Sequence, residues 1–512
     1  MRARIPWVGA RFARSLGVAI ALGLSACSAT TDRYAPEPLR DAPDLTYALT
    51  LETSPKRLVR IEVGVAGAND GITEFALDEG FGGVTNAGSE FVQPEASDDR
   101  GSPLQVERPA PHRFIVRHAP GSHVTLRYTL PETAPKTPFV ESGHYRPFLT
   151  ASLLHLIGDV ALVAPRHLDS GTSRVIELTF SGFSNAGWQG ATSFRTDLEP
   201  TRVRESIGAF RHSVIVAGDV DVDVGTVRGR AVAVAMQRGV FGFASDEFAG
   251  RVRRIVELQR AYFEDDDAPY FLVSAIAVGA ASENSFSAGG TGLTQSFAAF
   301  LPPGAAFRVD TDEAKLIDVL LAHEMAHHWI GGRVAVKAPE AEHFWFSEGF
   351  TDFVARRVLA DAGLLTRAQS IDELNATLVE YHANPEKNAP ASRIADAFWS
   401  DPNIGDLPYQ RGNLVAIVVD HAIRTRTAGK NSLDDLLREL VRDAKARPLV
   451  VDTDDLLLRI SAWAGADVAQ RVRAMVVGGA TVELDPATYA PTLRYVAGDP
   501  PQFVDAAGEP SP

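Results

Sequence analysis

The sequence predicts an α+β multidomain protein, an antiparallel β-domain on the N-terminal side followed by a mainly helical domain. Three observations lead there. The chain has 512 residues, too many for a single compact core. Apolar and polar residues alternate over much of 44–235, the period of half-buried strands. From about residue 245 the spacing becomes helical, as in Phe248, Val252, Ile255 and Phe263. Hydrophobic residues make up 45% and charged residues 22%, ordinary globular values. A net charge of -15 argues against nonspecific binding to nucleic acid.

Residues 1–27 read as a targeting segment. "MRARIPWVGARFARS" is basic, and the apolar run "LGVAIALGL" suits a secretory signal and is too short to span a membrane. Leu24-Ser25-Ala26-Cys27 resembles the bacterial lipobox. That resemblance implies a signal peptide cleaved before Cys27, acylation of Cys27 and a lipid anchor in the cell envelope. Ser28 at the next position implies the outer membrane, with the protein facing the periplasm. Cys27 is the only cysteine, so no disulfide forms within the chain. No second apolar run reaches spanning length.

Residues 28–43 are polar and proline-bearing, a tether. In the β-domain, 44–235, "RFIVRHA" and "HVTLRYTL" flank Pro120-Gly121-Ser122, which predicts a hairpin. "SRVIELTFSG" and "RAVAVAMQ" are further strands. "DVDVDVG" sets Asp219, Asp221 and Asp223 at alternate positions. A calcium loop counted from Asp219 needs glycine sixth and glutamate twelfth, where Val224 and Arg230 stand, so a half-exposed strand accounts for the pattern. "YFLVSAIAVGA" is a buried strand opening the mainly helical region 236–440. A helical segment over 441–495 and a disordered tail over 496–512 complete the chain.

The helical region carries the chemistry. "DTDEAKLIDVLLAHEMAHHWIGG" is a helix with capping-box spacing at Asp310 and Glu313 and a stop at Gly331-Gly332. Residues four apart share a helix face, so His323 and His327 present two imidazoles to one point, with Glu324 beside them. This is the H-E-x-x-H arrangement of zinc hydrolases. It arises by chance about once in fifty chains of this composition, so a third ligand is required. His328 is one residue too far round and reads as structural or substrate-facing. The next helical segment, "HFWFSEGFTDFVARRVLA", supplies Glu348 as that ligand and, one turn on, Asp352. A carboxylate there suits the second N–H of a zinc histidine.

"HEMAHHW" followed by "WFSEGF" resembles the gluzincin metallopeptidases, the aminopeptidase N and leukotriene-hydrolase family and the related glycyl aminopeptidases. "LPYQRGNLVAIVVDHAIRTRTAGKNSLDDLLREL" is most similar to the glycyl aminopeptidase branch. The resemblance implies a thermolysin-like catalytic domain, one Zn²⁺ held by His323, His327 and Glu348, Glu324 as general base, and a peptide or protein as substrate. It also implies that Tyr409, 61 residues past Glu348, stabilises the oxyanion.

The chain departs from these families in places. The spacer between His327 and Glu348 is slightly longer than in the aminopeptidase N family and shorter than in the glycyl aminopeptidases, which a loop absorbs. The substrate-binding glycine-rich stretch "SAGGTGLTQSF" has Gly290, and Gly292 or Thr294 where those families carry an amine-gripping glutamate. Burying a substrate ammonium without a carboxylate is costly. Glu283 lies upstream, and nothing in the spacing ties it to that task. The C-terminal PDZ module common in the glycyl aminopeptidases has no counterpart. Exo- and endopeptidase readings therefore stay open, beside a noncatalytic binding or assembly protein on a peptidase fold and a zinc hydrolase of a non-peptide. No feature selects an oligomeric state.

Overall fold

The computed structural model describes residues 33–505 apart from 79–80, 134–142, 169–170, 280–287, 307–311, 485–487, 490–492 and 499–500. Cys27, Glu283 and Asp310 lie outside the described residues, as does 506–512. The chain forms two compact units.

The first unit runs to Arg253 and resumes over Ala268–Arg308. A ten-stranded sheet dominates it. Near one edge of it, Leu45–Glu52 pairs antiparallel with Leu58–Ala66 and parallel with Arg174–Ser181. Leu45, Tyr47, Leu49 and Leu51 are all buried while the residues between them are not, the strict alternation of a one-sided sheet. Asp219 and Asp221 of the acidic strand receive Arg238, at 2.6 and 2.9 Å, and Asp223 pairs with Arg253. The alternating aspartates are thus an arginine-paired strand.

The hairpin expected around Pro120-Gly121-Ser122 is not formed. Arg113–Arg117 pairs with Ile72–Ala76 and Pro103–Ala110, and His123–Pro131 with Leu58–Ala66 and Val92–Asp98. The turn hydrogen-bonds a distant loop instead. Gly67 N–H donates to Ser122 O at 2.8 Å, and His118 N–H to Gly71 O at 2.9 Å.

A five-stranded sheet runs in the order Val220–Val227, Arg230–Gln237, Tyr270–Ala277, Ser296–Leu301, Gly289–Leu293. It moves the expected boundary at 235/236. Tyr270, Leu272, Ile276 and Phe300 pack into the same core as the N-terminal strands, so these later strands complete the first unit.

The second unit comprises Arg254–Asp267 and everything described after Val309. Its core is helical. The histidine helix is Asp312–Ala326, the carboxylate helix Gly349–Asp361, and the tyrosine helix Pro402–Arg426. Helix starts follow local chemistry. Thr366 and Gln369 form a capping box for Arg367–Ala383, and Ser432 with Asp435 another for Leu433–Ala446.

The expected helical segment over 441–495 holds as far as Val476, and the described residues beyond it correct both that segment and the disordered tail expected over 496–512. Helices stop at Val476, and Thr488–Tyr489, Leu493–Val496 and Gln502–Asp505 form a three-stranded sheet. Phe503 is buried against Tyr489 and Tyr495. The Asn375 side chain receives Phe503 N–H at 2.6 Å and donates to Phe503 O at 3.1 Å. One side-chain amide thus does the work of a neighbouring strand.

Candidate metal centre

The histidine helix ends earlier than the glycine pair suggests, and it ends by tightening. His327 N–H donates to Glu324 O at 3.3 Å and His328 N–H to Met325 O at 3.2 Å, the 3₁₀-type closure common at helix ends. The chain then folds back on the last turn. A β-carbon on Gly332 would lie 2.5 Å from His327 O, so only glycine allows this return. The turn is pinned from Asp265. Its Oδ2 accepts from Trp329 Nε1 at 2.9 Å and pairs with Arg333 Nε at 3.0 Å, while Oδ1 lies 3.2 Å from Lys445 Nζ. Burial disfavours the Asp265 carboxylate, but Asp267 N–H, Arg333, Trp329 and Lys445 outweigh that and hold its pKa below the usual range.

His323, His327 and Glu348 converge, with one ligand atom from each within 4.8 Å of the others. The hydrogen bonds fix the imidazoles. His323 Nδ1 lies 2.8 Å from Asp352 Oδ1, and His327 Nδ1 lies 3.0 Å from Ile330 O. A carboxylate and a carbonyl only accept, so both Nδ1 atoms carry the proton and both Nε2 atoms carry a lone pair in the neutral rings. Those Nε2 atoms are 3.1 Å apart. Glu348 Oε2 lies 3.4 Å from one and 3.5 Å from the other. Glu348 is fully buried, and neither of its oxygens has a hydrogen-bond partner. Two lone pairs and an unpaired carboxylate sharing one buried point are stable only around a cation. Ligand atoms about 2.0–2.2 Å from a tetrahedral zinc lie about 3.4 Å from one another, which matches the spacing here. The two-nitrogen, one-carboxylate set is a catalytic zinc set.

Without the ion, protons take its part. Burial works against the His323 imidazolium, but Asp352 and Glu348 outweigh it and push its pKa up to about 10. Burial likewise would raise Glu348, yet His327 and His323 hold it down at about 2. Glu324 is buried beside them with Oε1 unpaired. Burial raises its pKa, opposed by His323 and His327 and reinforced by Glu348. A raised carboxyl is what proton transfer near neutral pH requires.

Glu348 sits between the short helix Phe344–Ser347 and the carboxylate helix. Asp352 N–H donates to Glu348 O at 2.9 Å, so both carboxylates share one helical face. The tyrosine helix brings the buried Tyr409 ring to 5.9 Å from the His323 ring. His328 stands outside the ligand set. Its ring meets Trp329 edge-on at 4.9 Å, and burial lowers its pKa to about 4 with help from Arg333. Gly290 and Gly292 lie in the first unit, in the edge strand Gly289–Leu293, and Thr294 in the turn after it. Gly290 O accepts from Tyr145 Oη at 2.9 Å, and Thr294 N–H donates to His212 O at 2.7 Å. No aspartate or glutamate occurs in 289–295.

Two features are not apparent in the motifs alone. Gly349 and Gly412 touch where the carboxylate and tyrosine helices cross; a β-carbon on Gly412 would lie 2.1 Å from Trp345 O. Asp265 anchors the end of the histidine helix from within the acidic run "EDDDAP". The glycines after "WFSE" and "YQR" are the available signal for the first; the second has none, because any acid of that run could serve.

This fold and this site are those of a zinc metallopeptidase. Residues 283–474 match the family model described as Peptidase family M1 domain. Solved structures share the fold. An aminopeptidase N family protein from Idiomarina loihiensis superposes with a TM-score of 0.72 at 16% identity, covering 86% of this chain and 77% of that one. A mutant M1 zinc metallopeptidase from Deinococcus radiodurans, bound to a Tyr-Ser-Ala substrate, gives 0.53 at 16% identity, covering 87% and 95%.

Proposed function

We propose that the protein is an aminopeptidase-like zinc peptidase held by an N-terminal lipid at the bacterial cell envelope. The observation that carries the catalytic part is the meeting of His323 Nε2, His327 Nε2 and an unpaired Glu348 carboxylate at one buried point. Zinc held there by His323, His327 and Glu348 would supply Lewis acidity, making a water easier to deprotonate near neutral pH. Glu324 takes a proton from the attacking water and later delivers it to the leaving amine, which its raised pKa suits. The Tyr409 phenol donates to the carbonyl oxygen as negative charge develops on it. Asp352 holds His323 in the tautomer that leaves Nε2 free.

Gly289–Leu293 is the last strand of its sheet, and an edge strand can pair with the backbone of an extended peptide. The mutant Deinococcus radiodurans M1 zinc metallopeptidase, similar in fold, is bound to a Tyr-Ser-Ala substrate. With no carboxylate in that strand, amine recognition would come from elsewhere. The test is hydrolysis of matched peptides with free and acetylated N-termini, with Glu324→Ala as control. Cleavage confined to free N-termini supports the aminopeptidase reading, and equal cleavage of both makes the enzyme an endopeptidase.

The anchor rests on the lipobox alone, and the docking of Tyr34 corrects the tether expected over 28–43. Tyr34 stacks on Tyr270 with ring centroids 4.4 Å apart, and Tyr34 N–H donates to Thr196 Oγ1 at 2.6 Å. The few residues from Cys27 to Tyr34 span at most about 25 Å, so a lipidated chain would work close to the bilayer. Labelled palmitate incorporated by the wild type and not by Cys27→Ser is expected; equal soluble fractions of the two would remove the anchor.

A further inference from the structure

Arg356 follows Asp352 by one turn of the carboxylate helix, and its Nη2 lies 3.8 Å from Asp352 Oδ2. That is beyond hydrogen-bond range but close enough to pair two charges. Both side chains are largely buried, 14% and 12% exposed, so salt and water screen the pair far less than a surface pair. Among the described residues it is the one ion pair that Arg356 makes, and Arg356 Nε and Nη1 have no hydrogen-bond partner. The charge of Arg356 is therefore directed at Asp352.

Asp352 stands among other acids. Its Oδ1 accepts from His323 Nδ1 at 2.8 Å, and Glu348 precedes it by one turn. On its other side is Glu380, a half-buried residue of Arg367–Ala383. Burial raises the Glu380 carboxyl, Arg356 opposes this, and Asp406, Glu373 and Asp352 push it further up. Lys315 is paired with Glu373 at 2.7 Å. Arg356 is thus the cation that faces both Asp352 and Glu380.

We propose that Arg356 is a positioning residue of the metal centre, which holds the Asp352 carboxylate with Oδ2 toward the guanidinium and Oδ1 toward His323. A carboxylate turns readily about its last bond. Fixing one oxygen therefore fixes where the other points, and through it the direction in which His323 offers Nε2. The inference rests on the reading of His323, His327 and Glu348 as zinc ligands. Charge alone predicts the opposite effect. Removing a cation near a zinc site relieves repulsion and tightens metal binding, whereas releasing Asp352 weakens it.

The test measures zinc affinity of the full chain by competition with a chelator that changes colour on binding zinc. Arg356→Gln is expected to weaken zinc binding about tenfold. Arg356→Met should do the same and serves if the first variant fails to fold. Arg356→Lys, which keeps the charge, should recover most of the affinity. In the Asp352→Asn background the loss from Arg356→Gln should vanish, because the two residues act as a unit. Unchanged or tighter zinc binding in the folded Arg356→Gln or Arg356→Met protein would overturn the proposal, and so would losses that add in the double variant. A wild type that binds no zinc would overturn the ligand reading itself, and this inference with it.

Discussion

Gly349 and Gly412 bring two helices into backbone contact: a β-carbon on Gly349 would lie 2.3 Å from Gly412 Cα. Glu348 is the neighbour of one glycine and Tyr409 lies one turn before the other, so this crossing sets how far the carboxylate ligand stands from the phenol. Gly412→Ala would drive a methyl into the Trp345 carbonyl oxygen. It is expected to cost about 1–3 kcal/mol or more and to lower activity beyond what the lost fold explains. Urea unfolding and kcat on the folded fraction check this; an unchanged midpoint would show that the helices separate freely.

Glu324→Gln should keep zinc, since Glu324 is not among the converging ligands. Loss of the proton carrier is expected to lower kcat about 10²–10⁴-fold. Metal analysis beside single-turnover rates separates this from metal loss, and full activity would take the proton transfer from Glu324.

Tyr409→Phe removes one donor without emptying the ring space beside His323. A fall in kcat of about 10²–10³-fold with KM little changed is expected. A pure KM effect would place the phenol in substrate binding.

Asp352→Asn leaves the shape but weakens the acceptor at His323 Nδ1. Zinc affinity is expected to fall about 10–100-fold, with activity returning as zinc is raised. Activity that stays low at saturating zinc would give Asp352 a different task.

Metal-free protein has a pH signature with opposite signs at its two ends. The pKa of Glu348 is depressed to about 2 in the folded state, so its contribution is present above the ordinary carboxylate range and is lost as pH falls toward 2. That of His323 is raised to about 10, so its contribution is full below the ordinary imidazole range and is lost as pH rises toward 10. Zinc uptake near pH 8 must therefore expel a proton from His323. Calorimetry in buffers of different ionisation enthalpy should detect proton release, and zinc binding with none would contradict the assignment.

What is legible in the sequence is what is local. His323 and His327 are four apart, as are Glu348 and Asp352, and helix periodicity alone places each pair on one face. The structure brings all four together. Patterns that depend on distant partners are not legible. The turn at Pro120-Gly121-Ser122 looks like a hairpin because nothing near it announces its bond to Gly67. Phe503 looks like part of a loose tail because its strand is completed by Asn375, 128 residues away.

The central claim is that three side chains from two neighbouring segments hold one zinc ion. Anomalous diffraction at the zinc edge from zinc-loaded crystals tests it most directly. One peak per chain is predicted, bonded to His323 Nε2, His327 Nε2 and a Glu348 carboxylate oxygen and lost in Glu348→Ala. A peak elsewhere, or no peak at full zinc loading, would contradict the account.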